Sequence, residues 1–363
     1  MQKVLVLYGG RSTEHEVSAR SAAFLLKYLD RTKYQVFAMG IDKEGVWHPL
    51  PEEAYAEGVP DSLPIIPSTL KQRSTMMTLL GLNLSEGVQQ THNKTVVFSI
   101  IHGNSGEDGK LQGFLEMLEV PFVGPDTLGS AVAMDKVVAK ILVKSAGIDV
   151  VDYLTLRAEH WRQNEQNWQE KILTQLGLPL FVKPARGGSS VGVKKVKNAE
   201  ELKGAIENGF AFDDKLLIEV GLDVREIECA ALGGYEPLMS SAGEVIPQAE
   251  FYTYDAKYID AHGALVEVPA KLTQEEVAEV REIAKKCFMA LNLYGLARID
   301  LFLEKNTRKF YFNEANTIPG FTPISQYPML WQYDGYSPQK LLTSLVDSAL
   351  ERHGRRKLLK TFI

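Results

Sequence analysis

Two cysteines in 363 residues, Cys229 and Cys287, lie far apart and form no CxxC pair. They leave no material for a disulfide framework or a cysteine zinc site, and read as buried thiols in a reducing compartment. No run reaches the roughly 18 apolar residues of a membrane span. The apolar start Val4–Tyr8 is cut off by Gly9-Gly10, too short for a signal peptide. A soluble, cytoplasmic protein is expected. Basic excess is missing too: 40 Lys and Arg against 46 Asp and Glu give a net charge of −6, so no global field argues for nucleic acid. The one dense basic cluster, Arg352, Arg355, Arg356, Lys357 and Lys360, reads as a solvated helix end or frayed tail. The chain has no GxxxxGK[ST] P-loop, no GxGxxG and no internal repeat. What remains is 45% apolar and 24% charged, an ordinary globular composition with room for two or three domains.

The stretch Lys183-Pro184-Ala185-Arg186-Gly187-Gly188-Ser189-Ser190-Val191-Gly192 organises the rest. Leu180-Phe181-Val182 before it reads as a strand that Pro184 ends, and Val191–Val196 after it as another. A Gly/Ser loop leaves successive N–H groups able to cup an anion, and Lys183 adds a point charge suited to phosphate. Taken alone, the loop reads equally well as a hairpin with a flexible tip.

Val4–Tyr8, a glycine turn, a helix from about Glu14 to Leu29 and a strand Tyr34–Ile41 make a doubly wound opening, whose ligands sit at the carboxyl ends of strands. Ser12 or Thr13 is placed to cap that helix. Glu14 there serves structure or a ligand equally well. Residues 49–93, rich in Pro, Ser, Thr and Gly, read as an irregular excursion with at most a small hairpin or helix. Val96–Ile101 is the next buried strand, followed by the loop from His102 to Gly109 and a helix Lys110–Leu118. His102 alone reads as a hydrogen-bonded structural residue. Ser130–Ala146 has helical period, with Lys136 and Lys140 on one side and Gly147 as its stop. Residues 157–175 read as a surface helix, followed after the hairpin by a helix Ala199–Asn208 and a strand Lys215–Glu219.

The segment 295–320 carries the strongest argument. Ala297, Ile299, Leu301 and Leu303 alternate with Arg298, Asp300, Phe302 and Glu304 at strand period, and Lys309–Asn316 forms a second strand. A hairpin symmetric about Thr307 sets Asp300 opposite Glu314 and Arg298 opposite Asn316. Acids directly opposite destabilise a sheet. A divalent cation removes that objection, and magnesium is typically held by one or two carboxylates together with phosphates. Two unrelated surface acids in another register is the competing reading. The turn from Asn316 to Gly320, beside Arg298, offers N–H groups for developing negative charge. Together these features point to ATP between two domains.

The chain resembles the ATP-grasp superfamily and, within it, the D-alanine–D-alanine ligases. The marks are GGRSTEHEVS at 9–18, IHGNSGEDG at 101–109, MDK at 134–136, KPARGGSSVG at 183–192, EFYTYDAKY at 250–258, ARID at 297–300 and NEANTIPG at 313–320. The resemblance implies an α/β and α+β architecture with the ATP-grasp fold and three domains. These are an N-terminal doubly wound substrate domain (1–129), a central ATP-grasp subdomain (130–222) and a C-terminal domain with the metal site (223–363), with ATP between the last two. It assigns Lys136 and Lys183 to the nucleotide phosphates, Ser189 and Ser190 to the loop over them, Glu219 to the adenine amino group and Glu226 to the ribose. Val220, Leu222, Tyr252 and Lys257 complete the nucleotide site; Val220 stands where lysine is frequent and contacts adenine by backbone only. Asp300, Glu314 and Asn316 match the ligands of Mg2+ or Mn2+, two ions per site. Glu14 matches the acid that pairs with the first substrate's ammonium, Arg298 and the Gly320 backbone the groups around the tetrahedral centre, and Ser325 the holder of the second substrate's carboxylate. Ile324 replaces a residue that can be histidine in relatives.

The implied reaction joins two D-alanines through an acylphosphate formed from ATP, for peptidoglycan precursors. The loop 250–267 is the expected lid, and Glu14, Ser189 and Tyr258 match a hydrogen-bonded trio across the site. The resemblance also implies a homodimer, with no nucleic-acid or membrane partner. Tyrosine at position 258 goes with the dipeptide in this family, phenylalanine or histidine with the D-lactate ester. The rival activities are a depsipeptide ligase and a non-catalytic ATP-binding regulator. Joint retention of Lys183, Arg298, Asp300 and Glu314 speaks against the regulator.

Overall fold

The computed structural model describes residues 1–77, 80, 82–83, 87–88, 95–247 and 264–360. The apolar start builds β1 (Gln2–Gly9), buried from Val4 onward because a parallel strand is covered on both faces. β2 (Tyr34–Ile41) pairs with it in parallel, and β3 (Trp47–Leu50) adds an antiparallel edge where Pro49 is tolerated. β4 (Leu82–Asn83) and β5 (Gly87–Val88) make a small separate hairpin, and β6 (Thr95–Ser99) returns to the parallel sheet beside β1. The order is β3-β2-β1-β6. Strand alternation sends Leu5 and Leu7 toward Leu111 and Leu115 of the helix Lys110–Met117. Val4, Val6 and Tyr8 join the other core, which holds Leu25 and Leu26 of the first helix (His15–Tyr28) together with Leu341 and Leu345 of the last (Pro338–Lys357).

The second sheet holds β7 (Tyr153–Arg157), β8 (Leu180–Pro184), β9 (Lys194–Val196) and β10 (Lys215–Val220), in the order β7-β10-β8-β9. Its apolar face packs on Ile172, Leu202 and Ile206 of two helices, Glu165–Leu176 and Ala199–Phe210. The third sheet comprises β11 (Val224–Gly233), β12 (Leu238–Pro247), β13 (Ala264–Glu267), β14 (Gly295–Glu304) and β15 (Phe310–Asn316), ordered β13-β12-β11-β14-β15. Ile227, Cys229, Ile299 and Leu301 face the helix Gln274–Ala290 in one core. Alternation leaves Glu226, Glu228, Arg298 and Asp300 on the opposite face.

Several expectations need correction. The helix expected over 130–146 is two, Thr127–Met134 and Lys136–Ser145, because Asp135 turns extended and its carboxylate accepts the Val137 and Val138 N–H groups as an N-cap. The helix through 157–175 is likewise broken, at Asn164, and its Trp161 is buried rather than on the surface. Only Lys194–Val196 of the strand expected from Val191 is extended. Ser12 and Thr13 do not cap the first helix; Glu14 holds that position, without a side-chain cap bond. The basic C-terminus is a solvated helix end at Arg355, Arg356 and Lys357, exposed in the last turn, but not at Arg352. Arg352 is buried and donates to the carbonyls of Gly124 and Phe122 at 2.6 and 2.8 Å, while Arg356 pairs with Glu116 and Asp126. Both cysteines are free, buried thiols, and burial pushes Cys229 up to about 12. Among the described residues no helix is long and apolar enough to cross a membrane.

Candidate active site

The glycine-rich loop leaves β8 and returns as β9 by a tight reversal. Ser189 and Ser190 both adopt left-handed φ, 50° and 59°, and the Val191 N–H donates to the Gly188 carbonyl at 3.1 Å. Two consecutive positive φ angles under an i to i+3 bond make a type I′ turn, a conformation that disfavours side chains. Gly192 is required for space: a Cβ there would lie 2.6 Å from the Phe212 ring and 2.8 Å from Pro184. At the tip, the Ser189 hydroxyl donates to a carboxylate oxygen of Glu14. Glu14 thus turns toward the glycine-rich loop and makes no side-chain cap bond at its own helix terminus.

Lys136, first residue of its helix, donates to the Gly187 carbonyl at 2.5 Å and lies 3.1 Å from Glu314. It therefore joins the loop to the carboxylate hairpin. Lys183 donates to Glu219 at 2.6 Å, and Lys140 sits 2.6 Å from the other Glu219 oxygen while donating to the Phe312 carbonyl at 3.1 Å. Glu219 and Lys140 are both buried. Burial would raise the Glu219 carboxyl, but the two ammonium groups outweigh it and hold it below its ordinary value. Burial lowers Lys140, an effect Glu219 opposes. Two cations on one carboxylate leave net positive charge beside the Gly/Ser loop.

On the third sheet Asp300 faces Glu314 and Arg298 faces Asn316. The turn is not centred on Thr307, however. Leu301 pairs with Phe312 and Leu303 with Phe310, so Asn313 is an extra residue in β15. The bulge decides the site. Phe310 and Phe312 point into the core, and unbroken alternation would send Glu314 and Asn316 there too; one added residue turns both onto the face of Asp300. The Arg298 guanidinium forks onto Asp300 with two bonds of 2.8 Å, and its Nε lies 3.2 Å from Glu228.

The Asn316 side-chain oxygen is buried and meets no hydrogen-bond partner among the described residues. A buried acceptor in that condition is costly, and beside two carboxylates it fits a hard cation. Among the described residues no three His, Cys, Asp or Glu side chains converge as an all-protein cage. Two carboxylates and an amide are instead the partial donor set that magnesium completes with water and phosphate.

The turn after β15 is pinned from the N-terminal sheet. The buried His102 ring bonds the Ile318 carbonyl at 2.9 Å through Nδ1, so that nitrogen carries the proton; burial lowers its pKa and favours the neutral ring. Glu107 accepts the Gly103 and Ile318 N–H groups at 2.6 and 3.1 Å. Burial and the nearby Glu14 push it up to about 8 against those two bonds. The Ser21 hydroxyl oxygen accepts the Phe321 N–H at 3.1 Å. Ser325 opens the helix Gln326–Tyr333 and accepts the Thr322 N–H at 2.9 Å. A Cβ on Gly320 would stand 2.8 Å from its hydroxyl, so glycine is what lets the two approach.

Ser190 sits in the loop, Glu226 on β11, and Val220 and Leu222 around the end of β10. The Val220 N–H already serves the Asp152 carbonyl at 3.0 Å. Tyr252, Lys257 and Tyr258 lie outside the described residues. Of the loop expected over 250–267, residues 264–267 are instead strand β13, paired with β12. Three site residues escaped the reading of the sequence. Lys140 was visible one turn beyond Lys136, and Glu228 shares a strand face with Glu226. Glu107 lay inside a quoted motif without a role.

A glycine-rich hairpin on one antiparallel sheet, closed over a carboxylate hairpin on another, defines an ATP-grasp fold. Residues 3–125 match the family described as D-ala D-ala ligase N-terminus, and 142–347 its C-terminus. A D-alanine–D-alanine ligase of Oceanobacillus iheyensis is 43% identical over 99% of this chain and 98% of its own. Among solved structures, the D-alanine–D-alanine ligase of Coxiella burnetii superposes with a TM-score of 0.79 at 33% identity, over 98% of this chain and 97% of its own. The VanG D-Ala:D-Ser ligase of Enterococcus faecalis gives 0.80 at 33%, over 96% and 99%. The chain belongs to the D-alanine–D-alanine ligase family.

Proposed function

We propose that the protein ligates two D-alanine molecules at the expense of ATP, supplying the dipeptide for peptidoglycan precursors. The single observation that carries the reading is the bulge at Asn313, which turns Glu314 and Asn316 onto the face of Asp300 and Arg298 beside a cationic Gly/Ser loop. A carboxylate is a poor acyl donor. Transfer of the γ-phosphoryl group to a carboxylate oxygen of the first D-alanine gives an acylphosphate and ADP. The amine of the second D-alanine then forms the C–N bond; the tetrahedral centre collapses with cleavage of the C–O bond to phosphate, and a proton is lost.

Lys136, Lys183, Ser189 and Ser190 hold the phosphates in this reading; Glu219, Val220, Leu222 and Glu226, with Tyr252 and Lys257, hold the nucleoside. Asp300, Glu314 and Asn316 hold Mg2+ or Mn2+, which supplies charge neutralisation on the transferring group. Glu14 takes the first ammonium, Ser325 the second carboxylate, and Arg298 with the Gly320 N–H stabilises the oxyanion. Tyr258 closes the trio with Glu14 and Ser189 and selects the amine. The domain limits carried with this reading are 1–129, 130–222 and 223–363, although the helix Thr127–Met134 runs through the first of them. A cytoplasmic homodimer completes it, open to test by light scattering.

The test is phosphate release from Mg-ATP with and without D-alanine; absence of D-alanine-dependent release would overturn the reading in favour of a nucleotide-binding regulator. Glu314→Gln removes a ligand charge and no core contact, so turnover should fall at least about a thousandfold with the melting temperature unchanged. The second substrate is settled by competition among D-alanine, D-serine and D-lactate, because the fold matches D-Ala:D-Ala and D-Ala:D-Ser enzymes equally well.

A further inference from the structure

Across the third sheet Glu228, Asp300 and Glu314 stand in one row on adjacent strands, since Asp300 pairs with Glu228 on one side and with Glu314 on the other. Residues directly opposite share a face, so three carboxylates lie side by side and repel. Arg298 is the cation between the first two. It forks onto Asp300 at 2.8 Å and reaches Glu228 at 3.2 Å. Glu228 is buried, and the side-chain amide of Gln326, also buried, lies directly against it. Gln326 follows Ser325 directly. One carboxylate therefore ties Arg298 to the start of the helix that carries Ser325.

We infer that Glu228 is a positioning residue: it is the acceptor that retains Arg298 when a divalent cation takes Asp300. The inference rests on the assignment of Asp300 as a metal ligand. The fork on Asp300 uses both oxygens, the same atoms a cation would use, and a metal at Asp300 repels a guanidinium less than 3 Å from those oxygens. A second, buried carboxylate lets Arg298 swing its bonds across the row without leaving the site. It stays on the sheet face that carries Asp300, Glu314 and Asn316. Removing the second acceptor shifts the guanidinium toward Asp300, where it competes with the metal.

The measurement is Mn2+ binding by electron paramagnetic resonance to the full-length enzyme with ADP present, in a double-mutant cycle. Glu228→Gln should weaken Mn2+ about tenfold, the scale of one charge-assisted hydrogen bond, and lower kcat more than it changes KM for ATP. In an Arg298→Met background the same substitution should change Mn2+ affinity little, because the competing guanidinium is gone. An equal loss in both backgrounds would mean that Glu228 acts by its own charge and would overturn the inference; so would unchanged Mn2+ affinity in Glu228→Gln. If that variant does not fold, Glu228→Asp keeps the charge, withdraws the acceptor and should reproduce the weakening. Asp300→Asn is the control. Loss of Mn2+ binding there with no effect of Glu228→Gln sinks only the role of Glu228, whereas retained binding sinks the metal assignment itself.

Discussion

Ser189 and Glu14, 175 positions apart in sequence, share a hydrogen bond that closes the glycine-rich loop onto the N-terminal helix. The bond joins the turn of the glycine-rich hairpin to the start of the first helix, and in the proposed reading it links the phosphate and first-ammonium positions through two side chains.

Ser189→Ala and Ser189→Gly separate that link from the turn that carries it. Each removes a hydrogen bond to a charged acceptor, and kcat/KM for D-alanine should fall about ten- to a hundredfold in both. Only alanine keeps a side chain at a φ of 50°, so the glycine variant should be the more stable of the two by about 1 kcal/mol. Steady-state kinetics and urea unfolding check the two halves separately.

Glu219 is the anionic centre of a triad with Lys140 and Lys183. Lys140→Met leaves a neutral Lys183–Glu219 pair, removes the surplus positive charge at the root of the glycine-rich loop and should raise KM for ATP about tenfold, with a modest loss of stability. Glu219→Gln leaves two closely spaced lysines without their carboxylate and should cost about 3–5 kcal/mol. Each variant removes one charge, yet denaturant unfolding should find Glu219→Gln much the less stable of the two. Equal destabilisation would contradict the triad.

Glu107 sets a pH dependence of known sign. Its folded value of about 8 lies above its ordinary one, so the native state binds the proton more tightly than the unfolded chain. Its contribution is complete below about pH 4.5 and is lost as pH rises toward 8. Each pH unit of displacement is worth about 1.4 kcal/mol, though the residual solvent contact of Glu107 tempers the whole. Wild type should lose stability relative to Glu107→Gln between pH 5 and 8, measured by melting at constant ionic strength; a parallel pair of curves would contradict the assignment.

Arg352→Ala strips two carbonyls, Gly124 and Phe122, of their donor inside the protein. The expected cost is about 2–4 kcal/mol, with D-alanine-dependent phosphate release retained well below the melting temperature. Lysine should not rescue, because its single ammonium lacks the fork that serves both carbonyls.

The period of the strands, the glycine loop and the Asp300–Glu314 pairing were all legible in the sequence, because alternation and turn residues are local signals. The pairing was reached through a register that holds only on one side of Asn313. A hairpin drawn symmetric about Thr307 and a turn centred between Asn306 and Thr307 followed by a bulge give the same partners at Asp300, and no local preference separates them. The break at Asp135 was hidden for the same reason: Met134-Asp135-Lys136 continues a helical period, and only the capping geometry shows that the carboxylate starts a second helix. The burial of Lys140, Arg352 and Glu228 is a tertiary outcome. Each is a charge whose partner comes from a distant segment, and polarity alone predicts a solvated face.

The last helix, Pro338–Lys357, covers one face of the first sheet, its Leu341, Leu345 and Val346 sharing a core with Val4, Val6 and Tyr8. On the ribosome this has a temporal meaning. The first helix covers part of that face as soon as it is made, but the core is finished only when Pro338–Lys357 packs beside it. A nascent chain stalled before Pro338 would therefore carry its first sheet with that core half built.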